Sequence, residues 1–324
     1  MPLPSMSLSS FPGRDLASAG LEMNAPALDA EVLKHLRSGL TDLQGVPMTL
    51  SVTHRWDDIK NFSAHPDDLL IATYPKSGTT WMVEIVDSIR NEGISQEMRS
   101  IPSLMRAPFL EMNPPAPFPS GLDILKTMPA PRMVKTHLPF QLVPQSFWDN
   151  NCKAIYIARN AKDVLISYYY FHKMNTGMPE PGTWHEFFDN FLSGKVSWGS
   201  WFDHVTGWWD AREGLRIHYV FYEDLKQDPV KEIKKVALFL GKTLNKELLD
   251  TILEHTSFNK MKDNPMTNFS TVPPFVFKHD ISPFMRKGTV GDWKLHLTVA
   301  ENERFDEEYQ RRMAASSLTF RTEL

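Results

Sequence analysis

The sequence of 324 residues contains a single cysteine, Cys152, so no disulfide can form within the chain. Such sparse cysteine usage is typical of proteins from a reducing compartment. The sequence also lacks any run of 18 apolar residues, which predicts that no helix crosses a membrane. From Met1 to about Ala27 it has no apolar segment of the kind found in signal peptides. These absences together predict a cytoplasmic protein without a membrane partner.

An excess of either charge is missing as well, because Lys+Arg 35 against Asp+Glu 39 gives a net charge of −4. This balance gives no reason to expect nucleic acid as a partner, so affinity for phosphate must come from local clusters of cations. The hydrophobic content of 42% is enough for a large core, and α/β chains of this length often form one domain. We predict a flexible N-terminal extension over residues 1–40 and a single domain over residues 41–324.

The clearest local pattern is a polar turn between an apolar run at 69–74 and a helical pattern at 81–89. Backbone N–H groups at a helix N-terminus, the helix dipole and polar side chains together bind phosphate-like anions. An ordinary strand–helix turn that needs a glycine would look similar. The turn supplies a lysine, a glycine and three hydroxyls, namely Lys76, Ser77, Gly78, Thr79 and Thr80.

This turn differs from the common nucleotide-binding loop, which opens with a glycine and closes with Gly-Lys-Ser/Thr, its hydroxyl on Mg²⁺. Here Lys76 precedes the single glycine of the turn, Gly78. No apolar strand elsewhere in the sequence ends in the aspartate that would hold a metal for phosphoryl transfer. The order of residues therefore predicts anion binding without a required metal.

Two further strands are predicted to end in charged residues. Lys135 and His137 lie two positions apart in a short strand that Pro139 ends, so both side chains should point to the same side. A base beside a cation at a strand end suits an active site, although a lone histidine is more often structural. Arg159 follows the apolar run 152–158, at the edge where open parallel sheets bind ligands. It is interpreted either as a salt-bridge partner or as the holder of a second anion.

Two long stretches rich in proline, at 101–131 and 256–291, interrupt the regular patterns, and loops of that length are usually functional or disordered. Phe109 and Met112 in the first stretch would either line a pocket or pin a surface loop. The second stretch ends in Arg286, Lys287 and Gly288, as expected for a lid over an anionic ligand. The repeated strand–turn–helix units predict an α/β fold with a central, mainly parallel sheet flanked by helices.

With these motifs in order, the chain resembles the cytosolic sulfotransferases, and within them the phenol-type (first) family. Residues 74–81 resemble that family's 5′-phosphosulfate loop, 159–167 its 3′-phosphate segment, 286–294 its C-terminal signature and 135–137 its catalytic strand. The similarity begins near Gly45 and reaches the last residue. It implies a P-loop-like nucleotide-binding (sulfotransferase) fold. It also implies 3′-phosphoadenosine 5′-phosphosulfate (PAPS) as donor, 3′-phosphoadenosine 5′-phosphate (PAP) as product, and no metal.

The resemblance also implies roles for single residues. His137 would be the general base, Lys135 would lie beside the transferring sulfuryl group, and Lys76 would neutralise the leaving phosphate. Ser167 would bond Lys76 in the resting complex and limit hydrolysis of the donor. The donor site would comprise Lys76, Ser77, Gly78, Thr79, Thr80, Trp81, Arg159, Ser167, Tyr222, Thr256, Ser257, Phe258, Phe284, Met285, Arg286, Lys287 and Gly288. The acceptor site would comprise Lys135, His137, Phe109, Met112, Phe171, Val276 and Phe277.

The implied acceptor site is apolar, which favours a hydroxyl of a small apolar molecule, a phenol foremost, such as a xenobiotic, a hormone or a steroid-like compound. A non-phenolic alcohol or an amine stays open, although no acidic residue stands among these positions. Residues 294–303 resemble the family's short dimer motif and imply a homodimer. Two remoter alternatives are a nucleotide kinase, which would share the anion cradle, and a non-catalytic nucleotide-binding module.

Overall fold

The computed structural model describes residues 30–116 and 118–324, without the side chain of Glu31. Its centre is a parallel sheet of four strands, β3 (Leu69–Thr73), β4 (Met133–Thr136), β5 (Lys153–Ala158) and β6 (Ile217–Phe221), in the order β4–β3–β5–β6. A separate antiparallel pair, β1 (Thr41–Leu43) and β2 (Val46–Met48), precedes this sheet in the chain. The predicted α/β class with a mainly parallel sheet is confirmed.

Helices surround the sheet on both faces. In chain order they are α1 (Ala30–His35), α2 (Leu50–Thr53), α3 (Trp56–Lys60), α4 (Thr79–Arg90), α5 (Gln96–Ser100), α6 (Ser103–Arg106), α7 (Gly121–Thr127), α8 (Ser146–Asp149), α9 (Ala161–Met174), α10 (Trp184–Leu192), α11 (Trp201–Ala211), α12 (Tyr222–Gln227), α13 (Pro229–Leu240), α14 (Lys246–His255), α15 (Phe258–Asp263) and α16 (Val299–Met313). Short 3₁₀ segments occur at Phe140–Leu142 and Asp292–Leu295. Among the described helices, none is long and apolar enough to cross a membrane.

The apolar runs of the central strands are continuous because both faces of the sheet are buried. Leu69 and Ile71 belong to one core cluster, with apolar residues of α4, α13 and α14. Leu70 and Ala72 belong to the other, with apolar residues of α9, α10, α11 and α16. Since successive side chains of a strand point to opposite faces, β3 contributes to both cores at once. The result is three layers, with the sheet in the middle.

The strand order places the turns after β3 and β5 next to each other. β3 pairs in parallel with β4 on one side and with β5 on the other. The chain therefore leaves β3 toward one edge of the sheet to form β4 and then crosses back to form β5 on the opposite side of β3. Ligands of open α/β sheets bind at the carboxyl ends of the strands where the order reverses. A hydrogen bond joins the two turns, since Arg159 Nη1 donates to the carbonyl oxygen of Lys76 at 3.1 Å.

Several helix ends follow from side-chain chemistry that the sequence displays. The Asn160 side chain accepts a bond from the backbone of Asp163 and begins α9. Pro229 occupies the first turn of α13, which ends at Gly241 with a φ of 80°. Both hydrogen bonds of the predicted capping box at Thr298 are present at the start of α16. These predicted ends are confirmed.

Most of the predicted extension, residues 1–29, lies outside the described residues. Residues 30–40 contain α1 and contact the domain, where the backbone N–H of Arg37 donates to the carbonyl of Thr176 at 2.6 Å. The boundary at residue 40 stays a prediction. The two stretches interpreted as loops are not wholly irregular, because they contain α6, α7 and α15.

Candidate active site

A cavity of about 1220 Å³ lies at the carboxyl edge of the parallel sheet. The residue that follows each of three strands lines it directly: His137 after β4, Arg159 after β5 and Tyr222 after β6. Pro75 and Lys76, just beyond β3, complete the set. The topology therefore gathers residues from four separate turns around one space.

The turn after β3 leads directly into the N-terminus of α4 at the cavity wall. Lys76 has a φ of 67° and Gly78 a φ of 103°, both in the left-handed region, and Gly78 is the N-cap of α4. A Cβ on Gly78 would lie 3.0 Å from the ring of Tyr222, so a side chain there would be both strained and crowded. The buried Ser77 hydroxyl has no hydrogen-bond partner among the described residues. An orphaned donor beside a helix N-terminus fits an anion.

The ammonium group of Lys76 lies over two aromatic rings. Its Nζ is 4.4 Å from the ring centroid of Phe171 and 4.0 Å from that of Phe284, and it donates to the carbonyl of Phe284 at 3.4 Å. Burial, together with the charges of Arg159 and Arg286, lowers the pKa of Lys76 to about 7. The positive charges of the two arginines disfavour a further charge on Lys76, and an anion bound beside Lys76 would offset that effect.

Two arginines lie on the other side of the cradle. Arg159 donates through Nη2 to the carbonyl of Thr289 at 2.9 Å and stacks over Tyr222 at 4.6 Å. Arg286 is paired with Asp292 at 2.6 Å. In the described part of the chain, the Nε–H groups of both arginines are buried and unpartnered. Two donors held in fixed positions without acceptors are suited to a second phosphate.

Gly288 is required for the approach of the loop to α15. Its φ is 65°, and a Cβ there would lie 2.2 Å from the ring of Phe258. Only glycine lets the basic segment that contains Arg286 pack this closely against that ring. Phe258, Tyr222 and Trp81 provide aromatic surfaces at this end of the cavity, where the Trp81 and Tyr222 rings meet at 5.5 Å.

His137 is held in one tautomer. Its Nδ1 lies 2.8 Å from the carbonyl oxygen of Thr73, which can only accept, so Nδ1 carries the proton and Nε2 keeps its lone pair. Burial lowers the pKa of His137 to about 3, although the bond to Thr73 raises it. The charges of His204, Lys135 and Lys76 lower this pKa further by smaller amounts. The ring is therefore neutral at pH 7. A neutral, oriented imidazole is a competent general base.

The main chain of His137 is fixed from two sides. Its N–H donates to Glu111 Oε1 at 2.5 Å, and its carbonyl accepts from His204 Nε2 at 2.9 Å. His204 Nδ1 in turn accepts from the hydroxyl of Tyr156 at 2.8 Å. Burial raises the pKa of Glu111 to about 7, although the hydrogen bond from the backbone of His137 lowers it. These buried groups hold the imidazole at the cavity wall.

Lys135 lies behind the wall rather than in it. The side chain is fully buried, its Nζ is 4.5 Å from the ring centroid of Phe109, and within the described residues it has no hydrogen-bond partner. Burial and the charge of Arg106 lower its pKa to about 7, although Glu84 and Glu111 raise it. The ring of His137 lies 4.7 Å from the same Phe109 ring, so both side chains are on one side of the strand end.

The structure brings nearly all residues of the predicted site together. Ser77 and Lys135 are buried and do not line the cavity. The predicted site residues that line it are Lys76, Gly78, Thr79, Thr80, Trp81, Phe109, Met112, His137, Arg159, Ser167, Phe171, Tyr222, Thr256, Ser257, Phe258, Val276, Phe277, Phe284, Met285, Arg286, Lys287 and Gly288.

Comparison with known proteins identifies the family. A family model for the sulfotransferase domain matches residues 66–317. The chain is 55% identical over 285 residues to sulfotransferase 1C2 of Rattus norvegicus, and this alignment covers 88% of this chain and 96% of the relative. Sulfotransferase 1C2 of Homo sapiens is 52% identical over 298 residues, covering 92% of this chain and 100% of the relative. The chain belongs to the sulfotransferase family.

Solved structures agree with this assignment. The crystal structure of mouse sulfotransferase SULT7A1 complexed with PAP superposes on this sulfotransferase with a TM-score of 0.71 at 32% identity, covering 86% of this chain and 95% of that one. Retinol dehydratase in complex with retinol and PAP has a TM-score of 0.77 at 24% identity, covering 91% and 97%, and shows a shared fold. The predicted sulfotransferase fold and the resemblance to the first family are confirmed.

Sequence reasoning missed three residues that position the histidine of this sulfotransferase. Thr73 is the last residue of β3, Glu111 lies in the proline-rich stretch, and His204 is in α11. A lone carboxyl inside the apolar segment from Phe109 to Met112 was a signal for Glu111. Nothing local marks Thr73 or His204, since their roles depend on contacts across the fold. In the described part of the chain no group of three metal-ligating side chains occurs.

Proposed function

We propose that this sulfotransferase transfers the sulfuryl group of PAPS to the hydroxyl of a small apolar acceptor, most directly a phenol. The observation that carries the proposal is a single cavity in which the anion cradle at Lys76 and the neutral imidazole of His137 face a common space. The mouse sulfotransferase that shares the fold was crystallised with PAP, which supports the same nucleotide here.

The cations have separate tasks at the donor. Lys76, with the N–H groups and hydroxyls that begin α4, would hold the 5′ end, where negative charge builds on the bridging oxygen as the sulfur–oxygen bond breaks. The unpartnered Nε–H groups of Arg159 and Arg286 would receive the 3′-phosphate, with Ser167 and Lys287 beside them. When bound, PAPS supplies the activated sulfuryl group; the protein supplies position and countercharge.

At the acceptor, Nε2 of His137 would take the hydroxyl proton as the oxygen attacks sulfur in line. The bond from Nδ1 to Thr73 stabilises the imidazolium that forms, because the carbonyl then accepts from a cation. Lys135, behind Phe109, would add positive potential near the transferring group. General base catalysis of this kind is worth about 10²–10⁴ in rate.

The walls of the acceptor region favour an apolar hydroxyl compound over an amine. Phe109, Met112, Phe171, Val276 and Phe277 line it, and no Asp or Glu of the described residues reaches the cavity surface. An ammonium-bearing acceptor would lack a carboxylate partner, which is costly in a desolvated site. A phenol matches both the walls and the base, since its hydroxyl is acidic enough to surrender a proton easily.

The test is turnover of ³⁵S-labelled PAPS against phenols, steroid alcohols and amines, with EDTA present, for the wild type and His137→Ala. We expect phenol sulfation by the wild type, insensitive to EDTA, and a loss of about 10²–10⁴ in kcat for the variant. PAP affinity of the variant should stay unchanged. Near-normal turnover by His137→Ala would remove His137 from the mechanism, and transfer that stops in EDTA would favour a metal-dependent reaction.

We also propose that the protein acts in the cytoplasm and as a homodimer through residues 294–303. Two apolar side chains in this segment are unusually exposed, Leu295 at 77% and Val299 at 75%. Such side chains at the start of a capped helix provide a small apolar surface that a second copy could cover.

A further inference from the structure

The segment before the sheet forms part of the cavity wall. Val32, His35 and Leu36 line the cavity at i, i+3 and i+4 spacing, on one face of α1 and its C-terminal extension. Leu33, on the opposite face, is 52% exposed. One side of this short helix therefore faces the cavity and the other faces solvent. The helix lies outside the sequence motifs that resemble those of the family.

A helix of six residues is too short to be stable by itself, so its position depends on an anchor. That anchor is Arg37. Its guanidinium donates to the carbonyls of His172 at 2.5 Å, Lys173 at 2.9 Å and Asn175 at 3.1 Å. Two further carbonyls, of Met178 and Pro179, lie at 3.2 and 3.4 Å. The last carbonyls of a helix have no partner within it, and a cation there is favourable, so Arg37 satisfies the end of α9.

The turn after α9, at Thr176, also holds the cavity-lining segment that contains Val276. The backbone N–H of Thr176 donates to the carbonyl of Val276 at 2.9 Å, and its hydroxyl donates to the carbonyl of Phe275 at 2.8 Å. Arg37 is thereby linked to the segment that contains Val276 and Phe277. The donor-side end of α9, beside Arg159, is about 20 Å away along a helix of 14 residues.

We propose that Val32 and Leu36, held in place by Arg37, form a specificity wall that contacts the far part of acceptors larger than a single ring. The inference rests on the proposed function for the identity of the acceptor. It assigns Arg37 a positioning role and predicts no effect on the nucleotide. The cavity of about 1220 Å³ exceeds the usual size of a pocket for one small ligand, so it has room for a nucleotide and an extended acceptor.

Binding measurements test the wall without relying on turnover. Calorimetry would compare 4-nitrophenol with the larger 4-phenylphenol on protein saturated with PAP, for Leu36→Trp and for the matched control Leu33→Trp on the exposed face. We expect Leu36→Trp to weaken the binding of 4-phenylphenol by about tenfold or more, which is the scale of a lost or blocked apolar contact. The affinities for 4-nitrophenol and PAP should stay unchanged. Leu33→Trp should change none of them. Equal binding of 4-phenylphenol by the two variants would overturn the proposal.

The anchor is tested by kinetics. Arg37→Ala should raise KM for 4-phenylphenol while kcat for 4-nitrophenol and the Kd of PAP stay as in the wild type. The control is Glu180→Gln, which removes the exposed ion pair of Arg37 at 2.7 Å but keeps the bonds to the carbonyls, and it should leave every value unchanged. A fall in kcat for both phenols in Arg37→Ala would overturn the positioning role. If Arg37→Ala fails to fold, Leu36→Trp still decides the question.

The two proposals fail differently. A wild-type protein that binds both phenols but transfers nothing from PAPS contradicts the proposed function and leaves the wall in place. A wild-type protein that sulfates both phenols, with 4-phenylphenol insensitive to Leu36→Trp, contradicts the wall alone.

Discussion

At the scale of single residues, the proposed donor site brings Lys76 close to two arginines, Arg159 and Arg286. Burial and the neighbouring arginines lower the pKa of Lys76 to about 7. A bound 5′-phosphate reverses the electrostatic part of this effect and raises the pKa again. Proton binding by Lys76 is therefore linked to nucleotide binding.

This linkage predicts proton uptake when PAP binds at pH 8. Lys76 is then mostly neutral in the free protein and becomes charged in the complex, whereas at pH 6 it is charged in both states. PAP affinity should therefore fall as pH rises above 7, by up to about tenfold per pH unit for one linked proton. Calorimetry in buffers of different ionisation enthalpy measures the uptake. Lys76→Arg, which stays charged, should take up correspondingly fewer protons. Equal uptake by the wild type and Lys76→Arg would contradict the assignment.

A second residue-scale prediction concerns the phosphate that distinguishes PAP from adenosine 5′-phosphate. Arg286→Ala removes a guanidinium whose Nε–H is buried and unpartnered among the described residues. We expect PAP to bind about tenfold or more weaker, the scale of one charge-assisted hydrogen bond, with little change for adenosine 5′-phosphate. Competition against a fluorescent nucleotide measures both affinities. An equal loss for the two ligands would place Arg286 elsewhere than at the 3′-phosphate.

At the scale of elements, much of the fold could be predicted because strands and caps carry local signals. The runs before Lys76 and Arg159 are apolar on both faces, and the caps at Asn160, Asp228 and Thr298 use side chains that the sequence displays. The helix α7 could not be predicted in the same way. It lies in a proline-rich stretch and spans only Gly121–Thr127, a length over which helical spacing gives little signal.

The site was predictable only in part for a similar reason. The residues proposed to hold the 5′-phosphate, from Lys76 to Thr80, are consecutive in sequence because one turn and the start of one helix provide them. The residues that hold His137 come from three distant segments and become neighbours only when the sheet, the proline-rich stretch and α11 pack together. Their physical roles depend on tertiary contacts that no local pattern encodes.

One helix cap provides an element-scale test. Thr298→Ala removes the hydroxyl that accepts a hydrogen bond from the backbone N–H of Glu301 in the capping box of α16. The expected cost is about 1 kcal/mol in the free energy of unfolding, or a fall of roughly 1–2 °C in Tm for a chain of this length. Thr319→Ala, at an exposed position outside the helices, is the matched control and should leave Tm unchanged. Equal Tm values for the two variants, measured by scanning calorimetry, would show that this cap contributes nothing to stability.

At the scale of the whole molecule, the proposed homodimer depends on a small apolar surface at the start of α16. Val299 is 75% exposed at the start of α16, within the residues 294–303 that resemble the dimer motif. Val299→Glu should convert a dimer to a monomer in sedimentation velocity, because a charge would be buried in a small apolar contact. Leu238→Glu, at a site 74% exposed on α13, is the control and should leave the assembly state unchanged. A dimer that survives Val299→Glu would exclude this surface.

The proposed donor and acceptor regions share one cavity, which is lined by residues that follow β3, β4, β5 and β6. The most direct test is a crystal structure with PAP and a phenol bound together. The proposed mechanism predicts the 5′-phosphate on the turn from Lys76 to Thr80 and the 3′-phosphate between Arg159 and Arg286. It also predicts the phenol oxygen about 2.6–3.2 Å from Nε2 of His137. A nucleotide bound elsewhere, or a phenol whose hydroxyl points away from His137, would contradict it.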